Sequence, residues 1–269
     1  MTKISPFLII LCLTLSCYSQ TAEQYFKEAN AKHKLQDFDG ALLFYTKAIE
    51  LNPKFSEAYY NRGLTKYKLQ DYYGAIFDYI YALDTDKDNP DIYYNRGLAK
   101  YKLQDYIGAI SDYDKCLKIN PKEANAYLNR GAAKTKLQDD KGAIIDYSLY
   151  IELDPTNSEA FFNRGLGKFK LDDNKGAIPD LNKSIELNST DAEVYLTRGA
   201  AKMNIQDNKG AIEDCSKAIQ INSEYAKAYY IRGLVKFIMD QKDSGCLDLK
   251  KASSLGFADA KEIVKEHCH

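Results

Sequence analysis

Several things are scarce in these 269 residues, and each scarcity closes a route. There is no tryptophan, and histidine is limited to His33, His267 and His269. No HExxH, CxxC or glycine-rich phosphate loop is present, so zinc-hydrolase, dithiol and nucleotide chemistry have no motif to stand on. His267, Cys268 and His269 would offer a metal only three clustered donors in a tail, and neither a metal nor a cofactor is implied. Charge of one sign is lacking too. Lys and Arg number 37 against 38 Asp and Glu, a net charge of −1, which excludes a strong basic field for nucleic acid. The apolar run from Pro6 to Leu15 is too short to span a bilayer comfortably.

What is there begins with that run. MTKISPFLIILCLTLSCYSQ places one cation, Lys3, before the apolar stretch and small or polar residues after it, the pattern of a secretory signal peptide over residues 1–19. Two processing routes fit. Cys17 and Ser19 are small residues suited to simple cleavage that leaves Gln20 first. TLSC around Cys17 resembles a bacterial lipoprotein box, although Thr14 stands where Leu is usual. The expected location is therefore outside the cytoplasm, secreted or periplasmic, with a membrane anchor only if Cys17 is lipidated.

After the leader the sequence repeats itself. Tyr93, Gly97, Lys100, Gly108, Ala109 and Tyr113 recur 34 residues on as Tyr127, Gly131, Lys134, Gly142, Ala143 and Tyr147. Seven units of 34 residues follow without a gap, at 22–55, 56–89, 90–123, 124–157, 158–191, 192–225 and 226–259. A fixed period of this size denotes stacked supersecondary units whose length counts repeats. Each unit holds two helical patterns separated by a short LQD-like turn. Ala109, Ile110, Tyr113, Cys116 and Leu117 have the spacing of a core-facing stripe, and Asp105 is placed to cap the second helix. Pro53, Pro121 and Pro155 end second helices of their units. Pro179, inside a second helix, predicts a local distortion. The glycines of the repeated NRG and GAI triplets read as close-packing positions. Beyond Gly256, Ala260, Ile263 and Val264 form a last amphipathic helix over 258–269 that caps the array.

The period and the small or aromatic residues Gly63, Tyr72, Ala75, Tyr79 and Ala82 resemble the tetratricopeptide repeat family over Ala22 to Asp259. The resemblance implies an all-α, right-handed superhelical solenoid of seven helical hairpins with a C-terminal capping helix. Departures are Tyr150 and Gly245 at small-residue positions, and Asp140, Asn174, Asn208 and Lys242 at an aromatic one, which predict looser packing in the later units. In this family positions 2, 5, 9, 12 and 13 of each unit line a concave groove. Here those columns, with the amides beside them, supply Tyr60, Asn61, Leu64, Tyr67 and Lys68, then Tyr94, Asn95, Leu98, Tyr101 and Lys102, then Asn129, and finally Phe162, Asn163, Leu166 and Phe169. Repeats two and three form the strongest expected contact site, and repeat five a second apolar patch. Related proteins use Asn ladders to hold an extended peptide. The specialised clamp for a terminal carboxylate is poorly matched, because position 5 is aromatic or aliphatic and position 2 mostly acidic.

Six units carry Arg at position 7 and Asp sixteen residues later, and the first unit lacks both. Positions 7 and 11 lie about 40° apart on a helical wheel and roughly 160° from the groove columns, so the cations read as a structural ladder and not as an anion track. A partly buried guanidinium requires a carboxylate partner. Cys246 and Cys268 lie on antiparallel legs of about ten residues each, a geometry open to a disulfide, with two free thiols as the alternative. Cys116 and Cys215 sit on core stripes and are expected to stay free. The functional expectation is a non-enzymatic scaffold or adaptor that binds a protein or peptide, not nucleic acid. The rival is an architectural component of a cell-envelope assembly with an idle groove.

Overall fold

The structure, a computed structural model, describes residues 20–268; the leader and His269 lie outside the described residues. The chain divides between Lys87 and Asp88 into two compact units. In the first, α1 (Ala22–Lys34) pairs with α2 (Phe38–Leu51), α3 (Ser56–Lys68) pairs with α4 (Tyr72–Thr85), and α2 packs on α3. In the second, five hairpins follow: α5 (Pro90–Lys102) with α6 (Tyr106–Ile119), α7 (Ala124–Lys136) with α8 (Asp140–Leu153), and α9 (Ser158–Lys170) with α10 (Asn174–Leu187). Then come α11 (Ala192–Asn204) with α12 (Asn208–Ile221), and α13 (Ala226–Ile238) with α14 (Lys242–Ser254). The last helix, α15 (Ala258–His267), lies against α14. Every first helix starts at the first residue of its 34-residue unit, and no strand occurs among the described residues.

In the first six hairpins one aspartate serves both ends of the turn; in the seventh its place is taken by Gln241, which makes no side-chain cap. The N–H groups of Asp37, Asp71, Asp105, Asp139, Asp173 and Asp207 bond carbonyls five residues back at 2.9–3.0 Å, closing the first helix. Their carboxylates then accept the N–H of Gly40, Gly74, Gly108, Gly142, Gly176 and Gly210 at 2.9–3.1 Å, opening the second. A Cβ on those glycines would stand 2.0–2.5 Å from the capping carboxylate oxygen. The GAI glycines are thus capping positions, a correction to their reading as packing positions. The residue just before the N-cap of each second helix adopts the left-handed conformation although it is never glycine, from Gln36 at φ 61° to Asp240 at φ 58°.

The NRG glycines are packing positions. A Cβ at Gly63, Gly97 or Gly131 would lie 2.6–2.9 Å from the ring of Tyr79, Tyr113 or Tyr147, so the first helix approaches that buried ring as only glycine allows. Pro179 is exposed and α10 runs through it. Tyr150, where a small residue was expected, is buried with its hydroxyl donating to Asp154 Oδ2 at 2.9 Å and accepting from Asn157 Nδ2 at 3.0 Å.

The Arg–Asp ladder is built six times on one plan, from Arg62–Asp78 to Arg232–Asp248. Nε and Nη2 of each arginine donate to the two oxygens of the aspartate, at 2.8–3.0 Å and 2.5–2.7 Å. The position-11 lysine adds an ion pair at 2.7–2.9 Å, making a triad of two cations on one buried carboxylate. Each guanidinium also lies 5.4–5.6 Å over the position-4 ring, Tyr59, Tyr93, Tyr127, Phe161, Tyr195 or Tyr229. Nη1 reaches back to the preceding hairpin: Arg62 to Thr46, Arg130 to Asp114, Arg164 to Ser148, Arg198 to Asn182 and Arg232 to Ser216. The ladder therefore joins the two helices of a hairpin and, at these five rungs, ties that hairpin to its predecessor.

Candidate functional site

The predicted groove residues of the first unit lie on α3. Tyr60 is half-buried and tilted over Tyr79 at 6.0 Å, and Tyr67 meets the edge of Tyr72 at 5.3 Å. Asn61 and Leu64, with Asn30, His33, Lys34 and Tyr45, line a small polar cavity of about 240 Å³. Its amides are occupied: Asn30 Oδ1 accepts from Tyr45 Oη at 2.6 Å and from Asn61 Nδ2 at 3.2 Å. His33 Nδ1 contacts Thr65 Oγ1 at 2.8 Å, and burial followed by the charge of Lys68 holds the imidazole pKa below its usual value. Lys68 itself is exposed.

In the second unit, Tyr94 is tilted over Tyr113 at 6.1 Å and Tyr101 meets the edge of Tyr106 at 5.3 Å, while Leu98 packs on the same cluster and Lys102 stays exposed. Asn95 Nδ2 donates to Asp91 O at 2.8 Å, and Asn129 Nδ2 donates to Tyr94 Oη at 3.1 Å and to Asn125 O at 2.9 Å. These amides hold helix and ring in place, a structural task that the expected peptide ladder did not include. Tyr94 and Tyr101 are likewise tied into the hairpin, so their removal costs stability as well as surface.

Repeat five is different. Phe162 and Asn163 face a cleft of about 360 Å³ with Ser158, Glu159, Ser184, Asn188, Asp191 and Val194. Leu166 and Phe169 line an apolar cavity, also about 360 Å³, whose other walls come from repeats six and seven and the cap: Leu196, Ala200, Met203, Tyr225, Tyr230, Ile231, Leu234 and Phe257. The ring of Phe257 is tilted over Tyr230 at 4.6 Å. Glu193, Thr197, Asn204, Lys227 and Asp259 complete the lining. Burial, then Glu193 and Asp191, pushes the Tyr225 hydroxyl up to about 12, and burial with Asp259 raises that of Tyr230. The cavity is apolar within and predominantly acidic at its margin.

The cause lies in the position expected to be aromatic. In the first three repeats the position-12 ring is locked edge-on by a position-17 ring, in the pairs His33–Phe38, Tyr67–Tyr72 and Tyr101–Tyr106. From repeat four that partner is polar, and in repeats four and five it bonds sideways to the next hairpin: Asp140 pairs with Lys170 at 3.5 Å, and Asn174 accepts from Asn204 at 3.1 Å. The polar residues keep neighbouring hairpins tied, and Phe169 and Met203 at position 12 line the cavity instead. The columns pointed to Leu166 and Phe169, and Tyr230 and Leu234 hold positions 5 and 9 of the same columns in repeat seven. They missed Tyr225 and Phe257, which come from an inter-repeat turn and the cap approach, outside the groove columns.

At the C-terminal end Cys246 and Cys268 are bonded, with Sγ atoms 2.00 Å and Cα atoms 5.4 Å apart, fastening the end of α15 to α14. Cys268 is thereby removed from any metal set, and among the described residues no cluster of three metal-ligating side chains occurs. Cys116 and Cys215 are free and buried.

Tetratricopeptide repeat family models match residues 29–70, 65–104, 90–123 and 124–157. No curated protein matches the sequence. Among solved structures, MamA is 29% identical, with a TM-score of 0.58 over 61% of this chain and 96% of MamA. YrrB, described as a TPR protein with an unusual peptide-binding site, is 22% identical with a TM-score of 0.64 over 70% of this chain and 97% of YrrB. The C-terminal part of a TPR repeat-containing protein from Cytophaga hutchinsonii reaches a TM-score of 0.72 at 18% identity, covering 88% of this chain and 98% of its own. Sequence period, hairpin geometry and these matches agree: the chain is a tandem tetratricopeptide repeat protein.

Proposed function

We propose that this protein is an interaction scaffold that binds a polypeptide segment at the apolar cavity of repeats five to seven. The observation that carries the reading is the cavity itself: large apolar side chains left uncovered in a concave recess, with Glu193 and Asp259 at the margin. Such a site suits a bulky aliphatic or aromatic anchor followed by a basic residue. The peptide-binding description of YrrB supports the class of ligand and says nothing of its sequence. Selection of random peptides on the purified chain should converge on an apolar residue with a neighbouring Lys or Arg. Phe169→Ala and Leu234→Ala, both at half-buried positions, should each weaken the selected peptide about tenfold or more with the helical signal retained. Selections that converge on acidic peptides, or full binding by both variants, refute the reading.

Export goes with this proposal. The pattern of residues 1–19 supports it, and a disulfide between Cys246 and Cys268 suits an oxidising compartment. N-terminal analysis of the mature protein should find Gln20 first, or a lipid on Cys17; an intact Met1 on the mature protein is the contrary result.

A further inference from the structure

Repeat two departs from the other six on one face of its second helix. At positions 18, 22, 25 and 26 the other repeats hold no more than two large apolar residues, and position 26 is lysine in five of them, at Lys47, Lys115, Lys183, Lys217 and Lys251. In α4 all four are large and apolar: Tyr73, Phe77, Ile80 and Tyr81, exposed by 76, 54, 51 and 45%. Tyr73, Phe77 and Tyr81 fall at i, i+4 and i+8, one ridge along the helix, with Ile80 beside it. Stability of the hairpin does not require this face, because repeats five and six fold with no large apolar residue there.

We infer that this ridge is a docking surface for a second copy of the chain, α4 against α4 across a two-fold axis near Phe77. Three observations favour that occupant. A ridge of i, i+4 residues fits the groove beside the same ridge on an identical helix at a crossing of about −50°, so the surface is complementary to itself. Charge permits the pairing: α4 contains no Lys or Arg to bury, Asp78 is already paired with Arg62 and Lys66, and Asp84, the exposed carboxylate, lies at the end of the helix. The crossing splays the two Asp84 side chains into solvent, and an antiparallel sense sets the negative helix end near the positive one. The area sets the strength. About half of four large side chains is roughly 400 Å² per copy, which makes a reversible dimer and not an obligate one.

Sedimentation velocity on the full chain tests this. The mean mass should rise from one chain toward two as concentration rises from about 5 to about 500 µM, the range appropriate to an interface of this size. Phe77→Asp should weaken association about tenfold or more while circular dichroism is unchanged. Tyr73→Lys, at the most exposed ring, serves the same purpose if Phe77→Asp misfolds. Oxidised Phe77→Cys should yield a disulfide-linked peptide joining position 77 to position 77, because a residue on a two-fold axis meets itself. A single-chain mass at every concentration overturns the inference. Association unaltered in a folded Phe77→Asp or Tyr73→Lys variant overturns it too, as does self-association without the 77-to-77 link. Binding of the wild-type chain to phosphatidylcholine vesicles without self-association assigns the ridge to a membrane surface instead, and equally overturns it.

Discussion

At the scale of single residues, the consequential group is the carboxylate shared by two cations. Asp146 has a fully buried side chain, and Arg130 holds it bidentately while Lys134 adds a third contact. Burial of Arg130 opposes its charge, but hydrogen bonding and attraction to Asp146 prevail, and its pKa stands above the usual arginine value. Removing Arg130 leaves Lys134 as partial compensation, so Arg130→Ala should cost about 3 kcal/mol, at the low end for breaking a buried pair. A double-mutant cycle with Asp146→Ala should show coupling; additive effects would dissolve the pair. Asp114, half-exposed and touching the same guanidinium, should cost under about 1 kcal/mol when replaced by Ala. The two free thiols give a pH signature. Burial, aided by Glu123 and Asp91 for Cys116 and by Asp214 for Cys215, pushes each thiol up to about 12. Below about pH 9 both folded and unfolded chains keep these protons and nothing changes. Between about 9 and 12 the unfolded chain ionises first, so stability falls as pH rises. Urea titrations from pH 8 to 11 should show a shallower decline for Cys116→Ala than for the wild type; identical slopes would mean the thiol is not protected.

At the scale of helices, the turn between each pair holds an unspent gain in stability. Gln138 occupies φ 62°, where a side chain costs roughly 1–2 kcal/mol relative to right-handed backbone and glycine costs little. After allowance for the greater freedom of glycine in the unfolded chain, Gln138→Gly should stabilise by about 0.5–1 kcal/mol, and Gln138→Val should destabilise. Chemical denaturation decides it, and a destabilised glycine variant would mean the glutamine side chain contributes there. The helix register was legible from the sequence because a gapless 34-residue period fixes every element once one is placed, and each first helix does begin at position 1. The ladder was legible because cation and carboxylate vanish together in repeat one, at Glu28 and Phe44. The role of the GAI glycines was not, since a one-dimensional pattern cannot tell a Cβ excluded by a neighbouring ring from one excluded by a capping carboxylate. The apolar cavity was half legible. Columns list which residues share a face, but the polar position-17 residues that leave Phe169 and Met203 to line a recess act sideways, between hairpins, and a wheel drawn for one helix omits that direction.

At the scale of the molecule, a repeat array transmits little, because each hairpin touches chiefly its neighbours and the ends depend on their caps. The end of the second unit is therefore where a local covalent change has the largest reach into the candidate site. Cys268 follows α15 and is bonded across 22 residues to Cys246 on α14, while Phe257, just ahead of α15, rests on Tyr230 and walls the cavity. A loop of that length contributes about 3 kcal/mol in the chain-entropy picture. Replacing both cysteines by Ala should lower the stability of α13, α14 and α15 by about that amount, visible as faster amide exchange there. Helices α5 to α8, several interfaces away, should exchange as before. The same variant should bind a cavity-selected peptide more weakly, because the wall bearing Phe257 then loses its covalent tie and keeps the non-covalent ones, among them the ring contact with Tyr230 and the apolar contacts of Ala260, Ile263 and Val264. Uniformly faster exchange across the second unit would show that it unfolds as one cooperative block. Unchanged exchange in α13 to α15 would show that the cap is held by packing alone.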